Sequence, residues 1–248
     1  MFEPLMDPKL YRKKKPAYRL SFSQQVVLCY QSFPYRARKE QKQDHEEVRE
    51  FFWKGGRVFQ DHSWTWISGL GVGAPAMALC LEELAQMGVK RLITLGSCGA
   101  LKSSGLQAGD VIWIQEALSG EGVSSYYGMK YGQWIRPPGE TLQEVLKKAF
   151  ESVQLTYHER KGWTTDAPYR LTGQRLKELE EQDVSIIDME ASGIFAVSRA
   201  LNMEAQVLCV VSDLLSEDEW QPCFHHKIVK KNLSSLASLW EQEALQRK

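Results

Sequence analysis

The sequence predicts an α/β fold, one domain with a largely parallel central sheet covered by helices on both faces. Three observations predict it. Short runs rich in Val, Ile and Leu recur along the chain and read as strands buried on both sides. Segments with helical apolar spacing separate those runs, the alternation that builds strand–helix–strand units. The chain has 248 residues, 43% of them hydrophobic, enough for one large core rather than two small ones.

Residues 1–24 contain KLYRKKKPAYR and read as a basic, solvated N-terminal arm ahead of a domain over 25–248. QVVLCY (25–30) is the first strand. The segment 36–50, RARKEQKQDHEEVRE, is dense in charge and reads as an exposed helix. WTWISGL (64–70) is the next strand, and the glycines of GVGAP let the chain turn closely into a helix over 76–87. In that helix Met77, Leu81 and Leu84 share one face at i, i+4 and i+7, with Cys80 alongside. RLITLG (91–96) is a strand expected to end in the glycine-flanked turn GSCG. DVIWIQEAL (110–118) is a strand, a helix fits 140–152, and VSIIDM (184–189) is a strand followed by a helix over 191–202. AQVLCVVS (205–212) is the last clear strand, and 227–246 reads as a helix.

Composition narrows the function. Lys plus Arg equals Asp plus Glu, at 31 each, so global charge selects neither nucleic acid nor a membrane surface. No apolar run approaches the ~20 residues of a membrane span, and the N-terminus lacks an apolar signal-peptide core. The cysteines at 29, 80, 98, 209 and 223 are odd in number and form no CxxC, as expected of reduced thiols in a cytoplasmic protein. The five histidines have no metal-site spacing, so no metal is expected.

In open α/β sheets ligands bind beyond the carboxyl ends of the strands. Three such ends carry polar groups. GSCG (96–99) offers the Ser97 hydroxyl and the backbone from Gly96 onward, either an anion nest or a plain tight turn. In IIDMEAS, alternation puts Asp188 and Glu190 on one face and Met189 on the other. In VVSDLL, Ser212 and Asp213 end a nearly all-apolar strand. A desolvated carboxylate holds its proton more firmly, which suits a general acid. The structural alternative for Asp213 is a helix N-cap or an ion pair.

GSCGAL after a strand, then TTDAPY, DMEAS and VVSD in this order, resemble the nucleoside phosphorylase family, which includes purine nucleoside phosphorylases, uridine phosphorylases and methylthioadenosine nucleosidases. The resemblance implies a single α/β domain with a twisted, partly barrel-like mixed sheet flanked by helices on both sides. It also implies a homo-oligomer (dimer, trimer or hexamer), a small-molecule nucleoside as ligand, and no cofactor beyond inorganic phosphate as co-substrate. Glu190 would accept hydrogen bonds from the ribose 2′ and 3′ hydroxyls, with Met189 against the sugar and Asp188 in a structural role. Asp213, beside Ser212, would protonate the departing purine, help typically worth ~10²–10⁴-fold. Tyr169, after Pro168 at the family's stacking-phenylalanine position, would border the base. Tyr127, with Tyr126 in SGEGVSSYYG, would line the pocket, or both are ordinary half-buried aromatics.

Ser97 and Gly96 match the family's turn, but the phosphorylases' strand arginine is replaced by Thr94. Tyr30 and Gln31 stand where the family's first loop has Gly and Asp, leaving Arg36 or Arg38 to supply that loop's arginine. The implied activity is N-glycosidic cleavage of a purine nucleoside with phosphate as nucleophile. A water-using nucleosidase and a non-catalytic nucleoside binder stand as alternatives, and a uridine substrate stands behind purine.

Overall fold

The computed structural model describes Met6 and residues 23–30, 57–60 and 64–246. Apart from Met6, Ser23 and Gln24, the basic arm lies outside these residues, as does the charged segment 36–50. The elements in chain order are β1 (Gln25–Cys29), β2 (Arg57–Gln60), β3 (Thr65–Ser68), α1 (Ala74–Gln86), β4 (Arg91–Leu101), β5 (Val111–Gly120), α2 (Val123–Tyr126), β6 (Trp134–Ile135), α3 (Thr141–Val153), β7 (His158–Thr165), α4 (Gly173–Glu181), β8 (Ile186–Asp188), α5 (Ala191–Ala200), β9 (Glu204–Leu215), β10 (Trp220–Pro222) and α6 (Lys227–Gln246).

The strands form one mixed sheet ordered β10-β9-β5-β7-β8-β4-β1-β3-β2, with β6 on β5. β4 also pairs with β9, so β4, β9, β5, β7 and β8 close into a five-stranded barrel. Parallel pairing joins β1 to β3 and β4, β4 to β9, and β7 to both β5 and β8. Antiparallel pairing of β5 with β9 and of β4 with β8 makes the sheet mixed rather than largely parallel.

Burial explains why these segments are strands. β4 and β9 are mostly apolar and buried along nearly their whole length, as strands covered on both faces must be. On one side Met77, Leu81 and Leu84 of α1 join Ile194, Phe195 and Val197 of α5 in a single core. On the other, Leu142, Leu146 and Phe150 of α3 and Val229, Leu236 and Leu239 of α6 cover Trp66, Trp113 and Leu208. Each such large side chain contributes about 1.5–3 kcal/mol by leaving water. The buried Trp113 indole N–H donates to Gln206 Oε1 at 2.8 Å, so its polar atom is satisfied. Among the described residues no helix is long and apolar enough to cross a membrane.

Two departures from the sequence reading matter for the site. GSCG is not a turn, because β4 continues through it to Leu101 under the pairing of β8 and β9. Likewise β9 does not stop at Ser212; it runs on to Leu215 and folds back into β10.

Candidate active site

A cavity of about 600 Å³ opens where β4, β8 and β9 meet. That volume fits a small organic ligand. β4 contributes Ser97, Cys98 and Gly99 to its wall, β8 and the link to α5 contribute Asp188, Met189 and Glu190, and β9 contributes Ser212 and Asp213. Three segments far apart in sequence therefore converge, as the strand-end argument requires.

Glu190 and Asp188 do different jobs. β8 ends at Asp188, and Glu190 occupies the N-cap of α5, so strand alternation does not relate the two. Asp188 Oδ2 accepts the backbone N–H groups of Glu190 (2.9 Å) and Ala191 (2.6 Å), satisfying first-turn donors that the helix leaves open. Its Oδ1 accepts the Thr164 hydroxyl at 2.6 Å, and Thr164 in turn accepts the Ser192 N–H. Burial pushes the Asp188 carboxyl above its ordinary range, against the pull of these donors. Asp188 is the clamp that fixes the start of α5 and therefore the position of Glu190.

Glu190 is 5% exposed, and its Oε1 accepts the Gly73 N–H at 2.6 Å from the loop ahead of α1. Burial, helped by the neighbouring Asp188 charge, pushes its carboxyl up to about 7, while the Gly73 and Met189 backbone donors oppose the rise. A carboxylate with one oxygen fixed and a wall position in the cavity is built to accept donors from a ligand.

Asp213 owes its aim to a β-bulge. In the parallel pairing of β9 with β4, Cys98 faces Val211 and Gly99 faces Asp213, so Ser212 is the extra residue. A bulge of this kind re-aims the side chains that follow it. A Cβ at Gly99 would stand 2.9 Å from Asp213 Oδ2 and 2.6 Å from Leu215 Cδ1, so the glycine makes room for the carboxylate. Asp213 is half-buried, within the strand rather than at its end. Its Oδ1 accepts the Ser212 hydroxyl at 2.8 Å, and its Oδ2 accepts the Trp220 indole N–H at 2.9 Å. It is neither a helix cap nor a member of an ion pair among the described residues.

The sequence profile of the phosphorylase superfamily matches residues 33–241, most of the chain and all three cavity segments. The chain belongs to the phosphorylase superfamily. Similar proteins include a DeoD-type purine nucleoside phosphorylase of Mycoplasma pneumoniae, 30% identical over 173 residues, which are 69% of this chain and 72% of that protein. A guanosine phosphorylase of Halorubrum lacusprofundi is 28% identical over 146 residues, 58% of this chain and 59% of that one. Among solved structures, the Toxoplasma gondii purine nucleoside phosphorylase in complex with immucillin-H superimposes with a TM-score of 0.76 at 20% identity, covering 99% of this chain and 98% of that one. The AMP nucleosidase of Bacteroides thetaiotaomicron gives 0.73 at 19% identity, covering 96% and 98%.

Within this superfamily fold the other expected site residues divide. Met189 and Tyr169 line the cavity, Tyr169 as an 88% exposed ring at its rim. Tyr127 is not on the described wall; its hydroxyl donates to Glu82 on α1 at 3.0 Å, and its neighbour Tyr126 is 90% exposed. Gly96 and Thr94 also lie off that wall, because the Tyr30 side chain covers them. A Cβ at Gly96 would meet the Tyr30 ring at 2.4 Å. The Thr94 hydroxyl is fully buried beside the Tyr30 phenol. Gly96 is thus a packing residue for Tyr30. Gly96→Ala is expected to destabilise the fold by about 1–3 kcal/mol through overpacking, read as a lower midpoint in urea unfolding. Arg36 and Arg38 lie outside the described residues.

Sequence reasoning missed Tyr30 as cavity wall, Gly73 as the donor to Glu190, and Trp220 as the donor to Asp213. The signals for Tyr30 were its place after the first strand and its standing where the family's first loop has Gly. The glycines before α1 suggested a turn rather than an N–H aimed at an acid. Trp220 follows the acidic run SEDE, which reads as a solvated loop.

Proposed function

We propose that this protein cleaves the N-glycosidic bond of a purine nucleoside, with phosphate as nucleophile, giving free base and ribose 1-phosphate. One observation carries the reading: Glu190 and Asp213 share one cavity in contrasting environments. Glu190, buried and fixed by Gly73, accepts the ribose hydroxyls when ionised and stabilises positive charge developing on the sugar. Asp213 at the other wall delivers a proton to the departing purine, an otherwise poor leaving group. The purine and guanosine phosphorylases among its relatives support both the base and the nucleophile. Ser97 is the described residue offered to phosphate, and Arg36 or Arg38 is proposed to bring the cation.

A second reading, hydrolysis, is favoured by the charge of the wall. Its described residues include six carboxylates, at Asp188, Glu190, Asp213, Glu217, Asp218 and Glu219, and no Lys, Arg or His. Phosphate carries nearly two negative charges at neutral pH and needs cationic or N–H partners when buried. Release of base from inosine, guanosine, adenosine and uridine, followed with and without phosphate, decides between the two. Base is expected from the purine nucleosides, and only when phosphate is present. Equal release in phosphate-free buffer would transfer the reaction to water. Thermal stabilisation by nucleosides without any turnover would end the catalytic reading and leave a binding protein.

A further inference from the structure

Asp213 is held by a residue that no part of the reaction has yet used. Beyond Leu215 the chain reverses at residues 216–219, where Ser216 and Glu219 exchange backbone hydrogen bonds, and returns as β10 with Trp220 opposite Leu215 and Pro222 opposite Asp213. Trp220 and Asp213 are therefore diagonal neighbours on one face of this hairpin, within reach of a long side chain. The indole Nε1 stands 2.9 Å from Asp213 Oδ2. Ion pairs of Glu219 with Lys102 and of Glu217 with Lys177 tie the hairpin tip to the body. Tyr169 and Phe224 pack edge-on to the Trp220 ring, at 6.4 and 6.2 Å between centroids.

We infer that Trp220 is a positioning residue for Asp213, holding Oδ2 as a permanent acceptor so that the transferable proton resides on Oδ1. The inference rests on the proposed role of Asp213 as general acid. An indole N–H only donates, so a proton on Oδ2 would have to break this contact. A serine hydroxyl both donates and accepts. Ser212 donates to Asp213 Oδ1 at 2.8 Å and also lies 3.2 Å from the Cys98 carbonyl oxygen. When Oδ1 is protonated, the Ser212 hydroxyl turns to Cys98. When the proton passes from Oδ1 to the purine nitrogen and the bond from sugar to base breaks, the electron pair of that bond stays with the base. The resulting carboxylate is then met by two donors, Trp220 on Oδ2 and Ser212 swinging back to Oδ1. Trp220 thus stabilises the product of the proton transfer.

The titratable groups sharing this cavity are Asp188 and Glu190 beyond β8, the Cys98 thiol on β4, Glu217, Asp218 and Glu219 on the hairpin, and the phenols of Tyr30 and Tyr169. Lys102 and Lys177 face the hairpin acids from outside.

The test compares full-length Trp220→Phe, which keeps a ring and loses the donor, with Trp220→Gln, which restores an N–H without the ring. Two readouts are used, the pH–rate profile on inosine with phosphate, and the titration of the Asp213 carboxyl carbon by ¹³C NMR, assigned through Asp213→Asn. In Trp220→Phe the alkaline limb and the NMR midpoint are expected to move up by about one pH unit, with turnover on inosine down about tenfold. Trp220→Gln is expected to move both back. An NMR midpoint unmoved in Trp220→Phe overturns the inference, whatever the activity. An Asp213→Asn enzyme that releases hypoxanthine at the wild-type rate instead overturns the general-acid reading itself.

Discussion

Replacing Glu190 with alanine is expected to abolish base release from every nucleoside, a loss of at least about 10²–10³-fold, the scale of removing one preorganised electrostatic contact. The residue is nearly fully enclosed, its Oε1 is committed to Gly73, and Asp188 fixes the backbone on which it stands. An acceptor held this way meets the sugar hydroxyls without reorganising. The accompanying pH dependence has a definite sign. Ribose binding needs the ionised form, and the free carboxyl is pushed up to about 7. kcat/KM should therefore rise with pH through about 7, and Glu190→Gln should remove that acid limb along with most of the activity. Stability moves the opposite way. Between the unperturbed value near 4.5 and about 7 the folded state holds a proton that the unfolded state has released. The contribution of Glu190 is therefore present in full at low pH and is lost as pH rises through about 7, a swing of roughly 3 kcal/mol at most. Urea unfolding of wild type and Glu190→Gln at pH 5 and pH 8 reads it: the wild type should lose more stability over that interval than the variant. Turnover retained in Glu190→Ala would remove the residue from the ribose role.

How far the site was legible follows from the kind of signal each residue carries. Strands buried on both faces declare themselves, and β1, β3, β5 and β9 all lie on apolar runs visible in the chain. β7 does not, because its first four residues are His158, Glu159, Arg160 and Lys161 and only the last four are buried. It is a strand because β5 and β8 pair with it, a long-range fact. The turn expected at GSCG was a misreading of glycine. Gly96 and Gly99 are there for close approach, one to the Tyr30 ring and the other to Asp213 and Leu215, and the chain stays extended through both. Asp188 and Glu190 were legible as a pair but not as a clamp and its charge, since the break between β8 and α5 falls between them. The bulge at Ser212 that aims Asp213 has no local signature, because register shifts are set by the partner strand.

Asp213→Asn is expected to slow release of base from inosine and guanosine by about 10²–10⁴-fold, the range for loss of a general acid. The argument is about the leaving group. An unprotonated purine departs as an anion, and an asparagine has no acidic proton to give it. The substitution keeps nearly the same shape, so the space opposite Gly99 stays filled. An amide oxygen turned toward Trp220 would still accept its indole N–H, and Ser212 keeps the Cys98 carbonyl as an alternative acceptor. Loss of structure is therefore a poor explanation for loss of rate, and an unchanged unfolding midpoint would exclude it. The discriminating substrate is 7-methylguanosine, whose imidazole ring already carries a positive charge and whose base leaves neutral without help. Asp213→Asn should release its base at nearly the wild-type rate while failing on the unmethylated parent, guanosine. A proportionate loss on both substrates would mean that Asp213 orients the nucleoside rather than protonating it.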